Sequence, residues 1–411
     1  MGIKKLLFSA CALLFAIGAH AQDFDDYFTD NTLRIDYIFA GDRESQHIYV
    51  DELNCIPRWY GRRKRLDTLP REGTGQITVT DSLTGTVIYR HSFSSLFQEW
   101  LASEESKHTP KSFENVYLVP FPKQTVDIKV ELFDYHQKVV ASLTHTVNPN
   151  DILIRKITNR TNPMTVIQQA ADTTNCIHLA FVAEGYREDE MESFVADAKV
   201  ATEALFAHEP FTKTRDRFNI VAVMAPSQES GVSEPGKGVW KNTSLASHYD
   251  TFYSERYLTT LHLKKLHDAL AGAPYEHILV LVNTPRYGGG GVFNSYVLAA
   301  TKGPLFKPVV VHEFGHSFGG LGDEYEYTES DPMYYADTEP WEPNLTTQHD
   351  FSQKWGNLIE EGKAGLVEGG GYMSKGVWRG CQDCRMRTNE IKEFCPVCQQ
   401  AIEQLIDFYT K

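Results

Sequence analysis

Short runs in which β-branched and aromatic residues alternate with polar ones dominate the first third of the chain. The clearest runs cover residues 76–80, 86–89 and 126–132, and such runs are typical of strands that bury one face. Turn-forming pairs, Asp81-Ser82 and Thr84-Gly85, separate the first two runs. Residues 22–150 are therefore predicted to form a β-sandwich. No catalytic constellation is visible in this region.

The pattern changes near residue 175, where short apolar runs begin to alternate with helical periodicity. Strands are predicted at residues 177–183, 218–225 and 277–282, and helices at residues 188–208, 255–271 and 395–409. The intervening residues 151–174 are polar and contain Asn162-Pro163, which indicates a linker. Taken together, the patterns predict an α+β protein with one domain at 22–150 and a second at 175–411.

The first 21 residues have the pattern of a signal peptide. Lys4 and Lys5 precede an apolar run at 6–17, and Ala19-His20-Ala21 fits a cleavage site before Gln22. The mature protein is therefore expected to be secreted or periplasmic. No later stretch approaches the 18 apolar residues of a membrane span, so none is predicted.

Acidic residues outnumber basic ones along the whole chain. The formal net charge is −14, and cleavage after Ala21 removes two lysines and no acid, which makes it −16. Such a surface repels a phosphate backbone, so nucleic-acid binding is not expected.

The most informative motif is His312-Glu313-Phe314-Gly315-His316. Residues four apart lie on one helical face, so two imidazoles at this spacing can bind one zinc ion while the glutamate faces a water molecule. Residues 308–311 (Pro-Val-Val-Val) fit the start of a buried helix, and Gly319-Gly320 fits its end.

Spacing alone does not fix the third protein ligand of the predicted zinc site. In metzincins a glycine seven residues after the first histidine allows a turn, and the ligand follows ten residues after that histidine. Gly319 matches the glycine, but Gly322 occupies the ligand position and Asp323 comes one residue later. We favour Asp323 because a flexible turn can absorb this shift. Glu324, or a glutamate further downstream, is the alternative.

Several segments together resemble the bacterial IgA-peptidase family of zinc metallopeptidases. They are HEFGHSFGGLGDEY at 312–325, FVAEGY at 181–186, PSQESG at 226–231 and the cysteine block at 381–398. The resemblance covers residues 175–411, and a β-rich domain precedes the catalytic one in that family too. It implies a metzincin-like catalytic domain that acts on protein or peptide substrates.

The expected mechanism follows from these residues. His312, His316 and Asp323 would bind one Zn²⁺, which leaves a fourth position for water, and Glu313 would act as the general base. The predicted function is that of a secreted zinc-dependent endopeptidase.

Two further segments near the predicted site have candidate roles. Residues 384–387 contain Met386 and fit a methionine turn behind the metal, with Met373 as the competitor. Residues 287–296 contain four consecutive glycines and could form either the edge strand that pairs with substrate or a plain loop.

Six cysteines remain after loss of the signal peptide. Four of them form two Cys-x-x-Cys pairs at 381–384 and 395–398. Because the chain is expected to be exported, we predict disulfides there, with a structural zinc site as the alternative. Cys55 and Cys176 would either pair with each other or remain free.

Two functions from other classes remain open. The first is a non-catalytic surface module that binds proteins or glycans and keeps a vestigial metal site. The second is a structural zinc protein built on the four late cysteines.

Overall fold

The computed structural model describes residues 23–158, 162–327 and 332–411. The predicted signal peptide, residues 1–21, lies outside them. The described residues form a mixture of helices and strands, and the strands belong to four sheets. This content is consistent with the predicted α+β class.

Strands are the main regular elements of the N-terminal region. Its elements are α1 (Phe24–Tyr27), β1 (Phe28–Gly41), β2 (Gln46–Pro57), β3 (Gly75–Asp81), β4 (Val87–Phe93), α2 (Leu96–Trp100), β5 (Lys111–Pro122), β6 (Val126–Phe133), β7 (Val139–Val147) and β8 (Arg155–Lys156). The strands predicted at residues 76–80, 86–89 and 126–132 correspond to β3, β4 and β6.

Two four-stranded sheets share the core of this region. One has the order β5-β1-β2-β8 and the other the order β4-β3-β6-β7. The apolar residues of the alternating runs point inward, so that Ile35 of β1, Ile77 of β3 and Ile128 of β6 belong to one hydrophobic cluster and are fully buried. Burial of one face of each sheet therefore accounts for the alternation in the sequence.

The second region contains the elements that carry the candidate site. They are β9 (Met164–Gln168), β10 (Ile177–Glu184), α3 (Met191–Phe206), β11 (Phe218–Val223), α4 (Leu263–Ala269), β12 (His277–Val282), β13 (Gly289–Val292), β14 (Tyr296–Ala300), α5 (Phe306–Ser317), β15 (Glu326–Tyr327), β16 (Leu345–Thr346), α6 (Gly356–Glu360), β17 (Val367–Gly370), β18 (Tyr372–Arg379) and α7 (Pro396–Thr410).

A six-stranded sheet with the order β13-β14-β12-β10-β11-β9 organises this region. Its four inner strands are parallel, and both edge strands, β13 and β9, are antiparallel to their neighbours. Every residue of β10, β12 and β14 is buried. This explains why these strands appear in the sequence as continuous apolar runs. Helices α3, α5 and α7 contribute to the core on one face of the sheet.

Two segments differ from the sequence expectations. Within residues 151–174, which were expected to be a linker, β9 pairs with β11 and extends the sheet. The helix predicted at 255–271 was wrong in its first half, because only Leu263–Ala269 is helical. The backbone N–H of Leu258 instead donates to Gly289, and that of Thr259 to His248. Pairing with these neighbouring segments outweighs the helical periodicity.

Helix α5 begins and ends as the sequence indicates. Pro308 lies in its first turn, and the three valines that follow are buried against the sheet. At its end the N–H of Gly320 donates to the carbonyl of His316, and Gly320 adopts a φ of +60°, which favours glycine. No helix among the described residues is long and apolar enough to cross a membrane.

Candidate metal centre

Two histidines from consecutive turns of α5 converge on one point. The Nε2 atoms of His312 and His316 are 3.1 Å apart. Each Nδ1 atom lies near a backbone carbonyl, that of Arg385 at 3.0 Å for His312 and that of Leu321 at 2.6 Å for His316. Donation from Nδ1 to these carbonyls leaves both Nε2 lone pairs available to a metal ion.

The turn after α5 brings Asp323 to the same point. Its Oδ1 atom lies 3.1 Å from Nε2 of His312 and 3.2 Å from Nε2 of His316. Apart from these two ring nitrogens, the buried Oδ1 atom has no potential hydrogen-bond partner among the described residues. Its other oxygen, Oδ2, accepts hydrogen bonds from the hydroxyls of Tyr325, at 3.0 Å, and Tyr372.

The separations of the three convergent atoms are those expected of ligands that share one metal ion. Tetrahedral ligands about 2.1 Å from zinc lie about 3.4 Å apart, close to the separations of these atoms. A buried carboxylate oxygen without a donor is costly unless a cation or a donor fills that position. His312, His316 and Asp323 could therefore bind one metal ion.

Glu324, the alternative ligand from the sequence, points elsewhere. Its Oε1 atom accepts from the side chain of Asn344 at 3.0 Å and from the thiol of Cys398 at 3.2 Å. Neighbouring residues on the tight turn thus face opposite sides, and it is Asp323 that lies beside the histidines.

Glu313 lies on α5 between the two histidines, against the glycines of β13. Its carboxylate is within 4.8 Å of the nearest ring nitrogen atoms of both histidines. A Cβ at residue 289 would come within 2.8 Å of Glu313 Oε1, and one at residue 291 within 2.4 Å of its backbone oxygen. Burial raises the pKa of the Glu313 carboxyl, and the nearby histidines only partly offset that effect. The glycines therefore let β13 lie close to the Glu313 carboxylate.

Asp323 and His316 reinforce each other's charged forms. Burial opposes ionisation of both groups, but the Asp323 carboxylate raises the pKa of His316 to about 9, and the two histidines hold the pKa of Asp323 well below its usual range. In the metal-free centre a proton on Nε2 of His316 supplies the positive charge between these side chains, and a metal ion that binds there displaces it.

Met386 rather than Met373 lies behind the histidines. Met386 is fully buried, and a Cβ at Gly315 would come within 2.6 Å of its sulfur, so that α5 rests directly on this side chain. Met373 lies in β18 and is half-buried.

The predicted disulfides are not present. All six cysteines of the described residues are free thiols. The Sγ atoms of Cys384 and Cys398 are 3.7 Å apart, whereas a disulfide needs about 2.05 Å. Cys384, Cys395 and Cys398 instead surround the carboxylate of Glu324, with their ligand atoms within 4.8 Å of one another.

A cleft of about 1130 Å³ opens in front of the centre, and both regions of the chain line it. The N-terminal region contributes Glu99, which no sequence pattern indicated. Burial raises the pKa of the Glu99 carboxyl to about 7, and a hydrogen bond from the Tyr257 hydroxyl partly offsets the rise. Tyr372 is a second residue that sequence reasoning missed, because its contact with Asp323 joins residues 49 positions apart.

Comparisons with known proteins identify the family to which the chain belongs. Residues 165–364 match the family described as IgA Peptidase M64, and residues 23–144 match the family described as Peptidase M64 N-terminus. A comparison with curated proteins finds no match. The two matched segments cover most of the chain, the first contains the histidines and Asp323, and the family's activity implies protein substrates. The chain therefore belongs to the IgA Peptidase M64 family and is a peptidase.

Proposed function

We propose that this peptidase is a zinc-dependent endopeptidase whose ion is held by His312, His316 and Asp323. One observation carries the proposal: Nε2 of His312, Nε2 of His316 and Oδ1 of Asp323 lie within 3.1–3.2 Å of one another. The Oδ1 atom is buried and has no other potential partner among the described residues. Two imidazoles and one carboxylate are ligands typical of catalytic zinc.

The roles of the chain's own groups follow from their positions. Zinc, when bound, supplies a Lewis acid that activates a water molecule and polarises the peptide carbonyl. Glu313 accepts the proton of that water on its carboxylate and passes it to the departing amine. The raised pKa of Glu313 suits a group that must both accept and release a proton. The carbonyls of Arg385 and Leu321 fix the ring orientations, and Tyr325 and Tyr372 orient the carboxylate of Asp323.

We further propose that an extended segment of the substrate lies along β13. This strand is an edge of the sheet and adjoins Glu313. Tyr257 and Leu258 already contact its outer side at Gly289, which restricts pairing with a substrate to the part of the strand toward Val292. We propose that residues 175–411 form a metzincin-like catalytic domain and that a β-sandwich at 22–150 precedes it. The sequence pattern at 1–21 supports export to the periplasm or beyond.

Two sets of variants test the proposal. His312→Ala and His316→Ala should each lose the zinc of this centre and all proteolysis of a fluorescent casein. Glu313→Gln should retain that zinc and the parent's thermal stability but lose at least about 100-fold in kcat, because it removes the base and no ligand. Zinc is measured by mass spectrometry on protein purified without chelators.

The results that contradict the proposal are equally specific. Unchanged zinc content in both histidine variants would place the ion elsewhere. Activity of Glu313→Gln within tenfold of the parent would remove Glu313 from the mechanism.

A further inference from the structure

A second cluster of ligand-type atoms lies behind the first. Glu324, Cys384, Cys395 and Cys398 are each at most 5 % exposed, and one ligand atom from each lies within 4.8 Å of the others. The residues come from three separate elements: the turn after α5, the loop before α7, and α7 itself with its N-terminal cap.

The distances within this cluster match coordination to a metal ion. Two thiolates at about 2.3 Å from a tetrahedral zinc lie about 3.8 Å apart. The Cys384 and Cys398 sulfur atoms are 3.7 Å apart. A thiolate and a carboxylate oxygen on the same ion would lie about 3.6 Å apart, and Oε1 of Glu324 is 3.2 Å from the sulfur of Cys398 and 4.0 Å from that of Cys395.

The carboxylate of Glu324 supplies an independent indication of a cation. Its side chain is fully buried, and its Oε2 atom has no hydrogen-bond partner among the described residues. The backbone N–H of Cys395 donates to the sulfur of Cys384 at 3.1 Å, as an N–H group does to a ligating thiolate. A buried carboxylate oxygen without a donor is costly unless a cation or a donor fills that position.

We propose that Cys384, Cys395, Cys398 and Glu324 bind a second, structural zinc ion. Soft thiolates favour zinc over magnesium or calcium, and four protein ligands leave no position open for catalysis. Binding releases the thiol protons to solvent and involves no change of oxidation state. Cys381, which is partly exposed, lies outside the ligand set.

This ion would fix the position of the turn at residues 384–386, which contacts the first centre. Cys384 begins the turn whose next carbonyl, that of Arg385, orients His312. The following carbonyl, that of Met386, accepts from the N–H of Glu324 at 2.8 Å. Because Asp323 and Glu324 are adjacent, one short turn supplies a ligand to each centre.

Metal counting on the full-length mature chain tests the proposal. The His312→Ala/His316→Ala double variant removes the first centre and should retain one zinc per chain. Loading this variant with Co²⁺ should give the charge-transfer absorption of cobalt thiolates, and X-ray absorption of its zinc form should show three sulfur atoms at about 2.3 Å. These measurements need no change in the second cluster, so they remain informative even if cysteine variants fail to fold.

Single variants assign the ligands. In the histidine double-variant background, Cys384→Ser and the near-isosteric Glu324→Gln should weaken zinc retention against a chelator by at least about 1000-fold, beyond the 10–100-fold of a group that only contacts a ligand. Cys381→Ser and Cys55→Ser are the matched controls and should retain the ion.

Several results would overturn the assignment. One is a double variant that holds no metal. Another is a disulfide between Cys384 and Cys398 in the intact mass of the unreduced protein. A third is loss of the ion in Cys381→Ser as complete as in Cys384→Ser. If the first centre does not bind zinc, the parent and the double variant will instead hold the same single ion, which separates failure of the proposed function from failure of this inference.

Discussion

The approach of β13 to α5 should make Gly291 one of the positions least tolerant of substitution. A Cβ there would lie 2.4 Å from the backbone oxygen of Glu313, whereas ordinary contact needs about 3.5 Å. The strand and the helix must therefore separate by about 1 Å in Gly291→Ala. Overpacking of this kind costs about 1–3 kcal/mol, which corresponds to a fall in Tm of roughly 2–12 °C.

The same shift should affect catalysis more than stability. Displacement of a reacting group by about 1 Å can reduce the rate about 100-fold, so kcat/KM for casein should fall by about that factor while the zinc content stays unchanged. Gly365→Ala is the control, because a Cβ there meets no described atom within 4 Å. If both variants keep the parent's Tm and kcat/KM, the close packing of β13 on α5 is not what positions Glu313.

Two further predictions concern an orienting hydroxyl and a buried histidine. Tyr372→Phe removes one hydrogen bond to Asp323. Zinc binding at the first centre, measured by chelator competition, should weaken about 10–100-fold. An unchanged affinity would show that the hydroxyl does not orient this ligand. Burial lowers the pKa of His277 from 6.5 to about 4. As the pH falls, the unfolded chain therefore takes up a proton at this residue before the folded chain does. The free energy of unfolding should decrease between pH 6.5 and pH 4, by at most about 3 kcal/mol. Urea unfolding across that range should show a weaker pH dependence in His277→Gln than in the parent. The exposed control His108→Gln should leave the dependence as it was, and equal slopes in all three proteins would contradict this account.

Local patterns were sufficient to predict α5 and three of the four inner strands of the large sheet, β10, β11 and β12. The spacing of His312 and His316, the buried valines and the glycine turn all act within one helix, so the sequence alone contains them. The helix expected at 255–271 failed because Leu258 and Thr259 pair with segments distant in the chain, and periodicity carries no information about such partners.

Site contacts between residues distant in the chain could not be predicted, for the same reason. Glu99 comes from the other region of the chain, and Tyr372 reaches Asp323 only once β18 is in place. The cysteine spacing did bring four thiols to notice, but the preference for disulfides rested on the expected compartment. That argument could not foresee a buried carboxylate among the sulfur atoms.

The hydrogen bond between His312 and the carbonyl of Arg385 also bears on when the candidate centre can assemble. The two residues are 73 positions apart, and the later one belongs to the loop just before α7. While the ribosome is still adding this segment, the first histidine lacks the acceptor that sets its ring, and Asp323-Glu324 lacks the carbonyl of Met386. A nascent chain that ends before Arg385 therefore lacks both contacts. Assembly of the candidate centre therefore has to wait until synthesis has passed Met386.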